Sequence, residues 1–334
     1  MANSTTIIAE IGVNHNGQIL LAKKLIKLAK IAGANIVKFQ YFSAFNMVER
    51  KTKSAEYQKK NTGISSQYEL LKKLELSIEQ IEELKDYCKK VSIEFLCTAF
   101  NPNDLKMLVN LGMNKIKIPS GEINNKMLLK QACILNKEIY LSTGMANYKE
   151  IKKVYSYIRK NTKKNIYILH CTSLYPAPPS SLNLDFLSLI KEKITNNIGY
   201  SDHSKGIIAS CVALGLGAKI IEKHITINEK LSGPDHKASL NPKEFKEFIS
   251  KIRDTESMLG SRLRKPDTRE NKIKALVRKS WYTNTDIKKG QILNEKNIVL
   301  KRPLSHLDAW SIPIGKRSKK NLKRGKPIKK EDLL

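Results

Sequence analysis

The chain has 334 residues, of which 41% are hydrophobic and 28% charged, a composition able to bury one large core and a small one. Its formal charge is +30, yet the lysines are spread through nearly every predicted helix. No block of five or six consecutive basic residues interleaves with aromatics, so the pattern argues against a dedicated nucleic-acid footprint and for a solvated surface that attracts anionic, phosphorylated substrates. There is no run of eighteen apolar residues and no secretory pattern in the first ten, so neither a membrane span nor export is expected, and the expected location is the cytoplasm.

In chain order, short apolar segments rich in β-branched residues fall at 6–11, 36–40, 93–98, 115–118, 139–142, 166–171, 198–201 and 218–223, each with the length of a buried strand. Between them, stretches such as 20–32 and 78–90 carry Leu, Ile and Ala at 3.6 spacing with Lys or Glu opposite, which predicts amphipathic helices. Strand then helix, eight times over roughly 250 residues, is the pattern of an α/β (β/α)8 barrel, the TIM barrel. A doubly wound open sheet is the alternative, but no G-x-G-x-x-G follows the first strand and no P-loop occurs.

A polar insertion at 41–74, carrying Lys51, Lys53 and Lys59, is expected to be an active-site lid or a dimer arm. The barrel is assigned to 1–260, ending with a helix at 242–259. A polar, basic linker is assigned to 261–273 and a small β-rich domain to 274–334. That last part has extended segments at 280–283 and 298–301 and turns at Gly290, Gly315 and Gly325. Its segments 286–293 and 321–328 resemble each other. A domain of this size is expected to pack against a partner surface.

The five cysteines, Cys88, Cys97, Cys133, Cys171 and Cys211, form no CxxC pair and mostly sit in apolar runs, which reads as reduced core thiols.

In a barrel, chemistry collects where strands end. The predicted ends carry Glu10, then Lys38 and Gln40, Thr98, Lys117 with Ser120 and Glu122, Ser142, His170 with Ser173, Ser201 with Asp202 and His203, and Glu222 with His224. Lysines and hydroxyls suit a phosphate or carboxylate, whereas carboxylates and imidazoles suit a metal or a proton transfer. Of the six histidines, His203 and His224 would end neighbouring strands and could face one ion, with Glu222 and Asp202 able to support them. By spacing alone a structural histidine pair explains them equally well. Asp235 lies in a Gly-Pro-Asp turn expected beyond the eighth strand, over the barrel mouth.

The motifs Ile8-Ala9-Glu10-Ile11-Gly12-Val13-Asn14-His15-Asn16-Gly17, Val37-Lys38-Phe39-Gln40, Lys117-Ile118-Pro119-Ser120-Gly121-Glu122, Leu141-Ser142-Thr143-Gly144-Met145, Leu169-His170-Cys171-Thr172 and Gly199-Tyr200-Ser201-Asp202-His203 together resemble the N-acetylneuraminate (sialic acid) synthase family. That family includes legionaminic and pseudaminic acid synthases and spore-coat polysaccharide homologues. The tail, with Lys301-Arg302-Pro303 and Ile314-Gly315-Lys316, resembles its antifreeze-like (SAF) domain.

The resemblance implies a transferase that condenses phosphoenolpyruvate with an open-chain amino sugar, either N-acetylmannosamine or a diacetamido-6-deoxy hexose. It implies a divalent metal, manganese, on His203 and His224, and a homodimer whose protomers exchange small domains. Lys38, Thr98, Lys117, Ser120, Ser142, Ser173, Ser201 and Lys279 would hold phosphoenolpyruvate. Glu10, Tyr175 and Asp235 would bind the sugar, Arg302 would reach it from the partner protomer, and Glu122 would handle the proton of the attacking water. Ser173 stands where many relatives carry Asn, Pro119 replaces a usually smaller residue, and the loop at 304–310 replaces a common Gly-x-Gly; that loop bears on which sugar is used. Two rival readings are another phosphoenolpyruvate-dependent barrel synthase acting on a phosphorylated aldose, and a basic nucleic-acid-binding protein.

Overall fold

The computed structural model describes residues 4–261 and 263–334, and the chain divides into two compact units, Met1–Gly260 and Ser261–Leu334. In the first unit eight strands alternate with helices: β1 (Thr6–Gly12), β2 (Ile36–Tyr41), β3 (Glu94–Ala99), β4 (Lys115–Ile118), β5 (Glu138–Ser142), β6 (Ile166–Cys171), β7 (Ile198–Asp202) and β8 (Ile220–His224). They pair in parallel in the order β3-β2-β1-β8-β7-β6-β5-β4. β3 and β4, the two ends of that order, lie side by side and close the ring. This is the (β/α)8 barrel expected from the alternation.

The strands read as continuous apolar runs because parallel strands are covered on both faces; β7 and β8 are buried at every position. The helices supply the outer cover through one face each. Pro242–Leu259 starts where Asn241 accepts from the backbone N–H groups of Lys243 and Glu244, with Pro242 at the first helical position. It turns Phe245, Phe248, Ile249 and Ile252 inward, each contributing about 1.5–3 kcal/mol of burial.

The insertion after β2 is ordered into three short helices, Ala44–Met47, Glu56–Thr62 and Gln67–Lys72. Leu70, Leu71 and Leu74 pack with Ala44 against Val13 and Phe42 in a cluster of their own. Val13 follows β1 and Phe42 follows β2, so this cluster seats the insertion on the C-terminal rim of the barrel.

In the second unit, β9 (Ser280–Thr283) and β10 (Ile298–Lys301) pair antiparallel. Trp281, Ile287, Leu293, Ile298, Leu307, Leu322, Ile328 and Leu333 form its core. The two similar segments face each other: Ile287 and Leu322 exchange backbone hydrogen bonds at 2.8 Å, and Gly290 and Gly325 both turn with φ near 80°, where a side chain would be strained.

One expectation fails here. The linker assigned to 261–273 contains a helix, Thr268–Val277, running into what was assigned as β-rich chain. None of its residues is buried; its apolar residues Ile273, Leu276 and Val277 are all exposed, and in so basic and polar a stretch they were not read as a helix. The available signal was the Asp267 and Glu270 capping box.

Candidate active site

Alternation along a strand sends neighbouring residues to opposite faces, and register decides which inward residues meet. Glu10 of β1 lies beside Lys38 of β2 and His224 of β8. Ser201 of β7 lies beside Glu222 of β8 and Cys171 of β6.

The result is a buried charged floor. Lys117 Nζ donates to both Glu222 oxygens at 2.6 and 2.8 Å, and Ser201 Oγ donates to Glu222 Oε1 at 2.7 Å. Lys38 Nζ lies 2.9 Å from Glu10 Oε2 and 3.7 Å from Glu222 Oε2; it also donates to Thr98 Oγ1 at 3.3 Å. Gln40 Nε2 donates to Glu10 Oε1 at 3.2 Å. Burial opposes ionisation of Glu222, but Lys117 and Lys38 hold it well below the usual carboxylate range. Burial, aided by the charge on Glu222, pushes Glu10 up despite Lys38.

The two lysines expected to meet a phosphate or carboxylate thus stand in a floor that also holds carboxylates. Each is matched by a carboxylate, because two uncompensated ammonium groups could not be buried.

Around this floor opens a cavity of about 490 Å³, within the range of small-molecule sites. On one side Gly144 N–H donates to Ser120 Oγ at 2.9 Å, and Ser120 Oγ touches Cys171 Sγ at 3.1 Å. A Cβ at Gly144 would meet Ser173 Oγ and come within 2.9 Å of Cys171 Sγ and Ser120 Oγ. Glycine at 144 keeps these groups together.

On the other side stand the imidazoles. His203 Nδ1 lies 2.8 Å from the Thr172 carbonyl oxygen; a carbonyl only accepts, so Nδ1 carries the proton and Nε2 has a free lone pair. His224 Nδ1 is buried without a hydrogen-bond partner. The rings are 5.5 Å apart. Burial lowers His203 to about 4; burial and then His203 put His224 well below the usual imidazole range. Both are neutral donors at pH 7, which is the form that binds a metal. Among the described residues no group of three or more His, Cys, Asp or Glu side chains suits a metal. The pair fits a divalent cation only as two ligands, with the remaining positions open to substrate or water.

Tyr175 stacks on His203 at 4.2 Å between centroids and meets His224 edge-on at 5.9 Å. Tyr57, from the inserted helix Glu56–Thr62, stacks on Tyr175 at 5.2 Å. Asp235 lines the same wall, and burial, then the charge of Glu10, raises its carboxyl to about 7.

Behind the site, Asp202 and Lys223 point the other way, toward the helix Ile208–Gly215. Lys223 Nζ lies 2.9 Å from Asp202 Oδ2 with both side chains fully buried, and it donates to the Ser204 carbonyl at 2.5 Å. Asp202 accepts from Ser204 Oγ and Ser210 Oγ at 2.6 Å each. This network braces the chain on either side of His203 and next to His224.

Glu10, Lys38, Lys117, Ser120, Ser142, Ser173, Tyr175, Ser201, His203, His224 and Asp235 all line the one cavity. Thr98 is buried and reaches it through Lys38. Glu122 does not line it: the 3-10 turn Ser120–Glu122 directs Ser120 inward and leaves the Glu122 carboxylate accepting from Asn125 Nδ2 at 2.7 Å. Lys279 and Arg302 belong to the second unit, both exposed. Lys51, Lys53 and Lys59 are exposed too; the insertion lines the cavity with Tyr57 and Gln58 together with Gln67 and Leu70, Leu71 and Leu74, and Tyr57 is its aromatic contribution. Sequence reasoning passed over it because an isolated aromatic in a polar segment has no periodicity to mark which way it points.

A barrel whose strand ends gather lysines, carboxylates, hydroxyls and two neutral imidazoles defines a small-molecule site for anionic substrates, and residues 25–264 match the NeuB family while 278–334 match the SAF domain. The chain belongs to the NeuB family. It is 45% identical over 330 residues to the N,N'-diacetyllegionaminic acid synthase of Campylobacter jejuni, covering 97% of this chain and 99% of that protein. It is 40% identical to the enzyme of the same name from Legionella pneumophila, covering 96% and 92%. Among solved structures, the N-acetylneuraminic acid synthetase of Leptospira borgpetersenii in complex with citrate superimposes with TM-score 0.72 at 34% identity, over 81% of this chain and 90% of that one.

Proposed function

We propose that this chain condenses phosphoenolpyruvate with the open-chain form of an N-acylated amino sugar, releasing phosphate, and that the acceptor is a diacetamido-6-deoxy hexose. The observation carrying the reaction class is a single cavity joining buried Lys38 and Lys117 and hydroxyls at 120, 142, 173 and 201 to two neutral imidazoles. The acceptor follows from likeness to the diacetyllegionaminic acid synthases along nearly the whole chain.

Lys38, Lys117, Ser142 and Ser201 bind the carboxylate and phosphate of phosphoenolpyruvate, and the hydroxyl groups fix its orientation. Its methylene carbon attacks the sugar aldehyde, forming the new carbon–carbon bond. Water adds to the cationic carbon two, and the carbon–oxygen bond to phosphate breaks as the lysines stabilise the departing charge. Glu10 and Asp235, rather than Glu122, are the carboxyls in the cavity whose proton affinity is raised, and Glu10, beside Lys38 and His224, exchanges the protons of these steps. A divalent cation, manganese by family resemblance, would be held by His203 and His224 and would supply Lewis-acid polarisation of the aldehyde.

The dimer that exchanges small domains belongs to this reading, with Lys279 and Arg302 completing the partner's site. Exposed Trp310, Ile312 and Ile314 on the second unit and Ile208 on the first support it, since such side chains mark association surfaces. A cytoplasmic location is part of the proposal; among the described residues no helix is long and apolar enough to cross a membrane.

The test is phosphate release from phosphoenolpyruvate and manganese with separate acceptors. Release requiring a diacetamido-6-deoxy hexose is expected. Release with N-acetylmannosamine alone changes the acceptor, and release with arabinose 5-phosphate alone overturns the reaction class.

A further inference from the structure

The cavity is lined by two chemically different sets of side chains, and the inserted helix adds Tyr57 and Gln58 to its lining. The floor is ionic, built by Lys38, Lys117, Glu10, Glu222 and Ser201 from the barrel strands. The roof is aromatic. Tyr57 lies face to face with Tyr175 at 5.2 Å and 20°, and Tyr175 lies on His203 at 4.2 Å and 30°. Three rings thus form one stack from the insertion down to the imidazole.

The helix carrying Tyr57 is tied down at a second point. Asn61 Nδ2 donates to the Pro234 carbonyl at 2.9 Å, next to Asp235, which lines the cavity together with Tyr57. Tyr57 is half-buried; burial first and the nearby Asp235 second keep its phenol protonated, so it can donate a hydrogen bond at any working pH.

The stack and the Asn61 tie hold the ring against the roof, where a neutral polyhydroxylated chain with apolar edges can lie against it. Phosphoenolpyruvate, with its carboxylate and phosphate, is drawn to the floor.

We infer that Tyr57 is an acceptor-binding, specificity-determining residue, and that the inserted helix Glu56–Thr62 selects the sugar without contributing to phosphoenolpyruvate binding. This rests on the proposed two-substrate condensation. The residue contributes a ring face against the acceptor and presents its hydroxyl beside Asp235.

The experiment is a steady-state comparison of wild type, Tyr57→Ala and Tyr57→Phe with manganese, varying each substrate in turn. Tyr57→Ala is expected to raise KM for the amino sugar about tenfold or more while KM for phosphoenolpyruvate stays within twofold. Tyr57→Phe, which keeps the ring, is expected to recover most of that loss. Thermal unfolding and direct phosphoenolpyruvate titration show whether each variant is folded with its floor intact. If Tyr57→Ala leaves both KM values unchanged, or raises both alike in a folded protein, the inference is wrong. A wild type that uses only a phosphorylated aldose would remove the proposed function instead, and the same split measured on that aldose would still decide the role of Tyr57.

Discussion

At the scale of single residues, the site is governed by burial of groups that prefer water. Asp235 shows the consequence most directly. Its carboxyl, facing Glu10, Lys38, Tyr57 and Tyr175, titrates near 7 in the folded chain, well above the ordinary carboxylate value. As pH rises from 4 toward 7 the unfolded chain has already released the proton that the folded chain retains, so stability falls through that window and levels off above it. Each pH unit over which the two states differ by a full proton changes stability by about 1.4 kcal/mol. Buried His15, His203 and His236, each lowered to about 4, act with the opposite sign in an overlapping range. The informative quantity is therefore the difference between wild type and Asp235→Asn in urea unfolding at pH 5 and pH 8. The variant is expected to gain on the wild type at pH 8; an equal difference at both pH values would mean that the carboxyl titrates normally. A second residue-scale expectation concerns His203→Ala, which removes a ring whose tautomer is set by Thr172. Manganese binding by calorimetry should weaken by at least 100-fold while phosphoenolpyruvate still binds, and unchanged manganese affinity would move the metal elsewhere.

At the scale of elements, β7 and β8 present opposite faces to different tasks. Their inward residues Ser201, Glu222 and His224, with His203 just past β7, build the site, and their outward pair Asp202 and Lys223 is sealed beneath the helix Ile208–Gly215. Breaking a buried ion pair by removing one partner costs about 3–5 kcal/mol, because the other charge is left uncompensated. Lys223→Met should lose that much in chemical denaturation. The double replacement Asp202→Leu with Lys223→Met should regain a large part of it. A single variant within 1 kcal/mol of wild type would show that the pair does not brace these strand ends. The insertion makes the same point from the other side of the cavity: its small apolar cluster with Val13 and Phe42 fixes three short helices that have too few residues to be stable alone.

At the scale of the whole molecule, the +30 charge is compatible with the enzyme reading because the lysines nearest the chemistry are paired with carboxylates. The cationic excess is therefore a property of the surface. The proposed exchange of small domains makes a prediction that neither unit makes by itself. Arg302→Ala would damage only the cap given to a partner, and His203→Ala only the barrel that receives one. Two such inactive proteins, dissociated and reassociated together, form mixed dimers in which one site has both an intact barrel and an intact cap. Random pairing makes half the dimers mixed with one good site each, so activity should return to about a quarter of wild type. No return of activity, with mixed dimers verified by mass, would place Arg302 in its own protomer's site or outside any site.

Much of this molecule could be read along the chain. The alternation of β-branched runs and amphipathic stretches predicts eight strands within a residue or two of their observed bounds, because periodicity is a local property that burial imposes on every turn of helix and every pair of strand residues. The strand ends named as chemical were legible for the same reason, since in a barrel they all reach one rim. Other features depended on neighbours far away in sequence. Glu222 became the shared counter-ion of Lys117 and Lys38 only when register set β8 against β7 and β1. Glu122 left the cavity because a single 3-10 turn rotated it away. The helix Thr268–Val277 buries none of its residues, leaving Ile273, Leu276 and Val277 exposed, so no core-facing pattern marked it. Tyr57 joined the roof only through a tertiary stack. By itself the sequence determined the barrel, the small β-rich unit and the kinds of groups available for chemistry; the tertiary structure alone decided which charges neutralise each other and which side chains face the substrate, because those depend on distances between residues that no local pattern encodes.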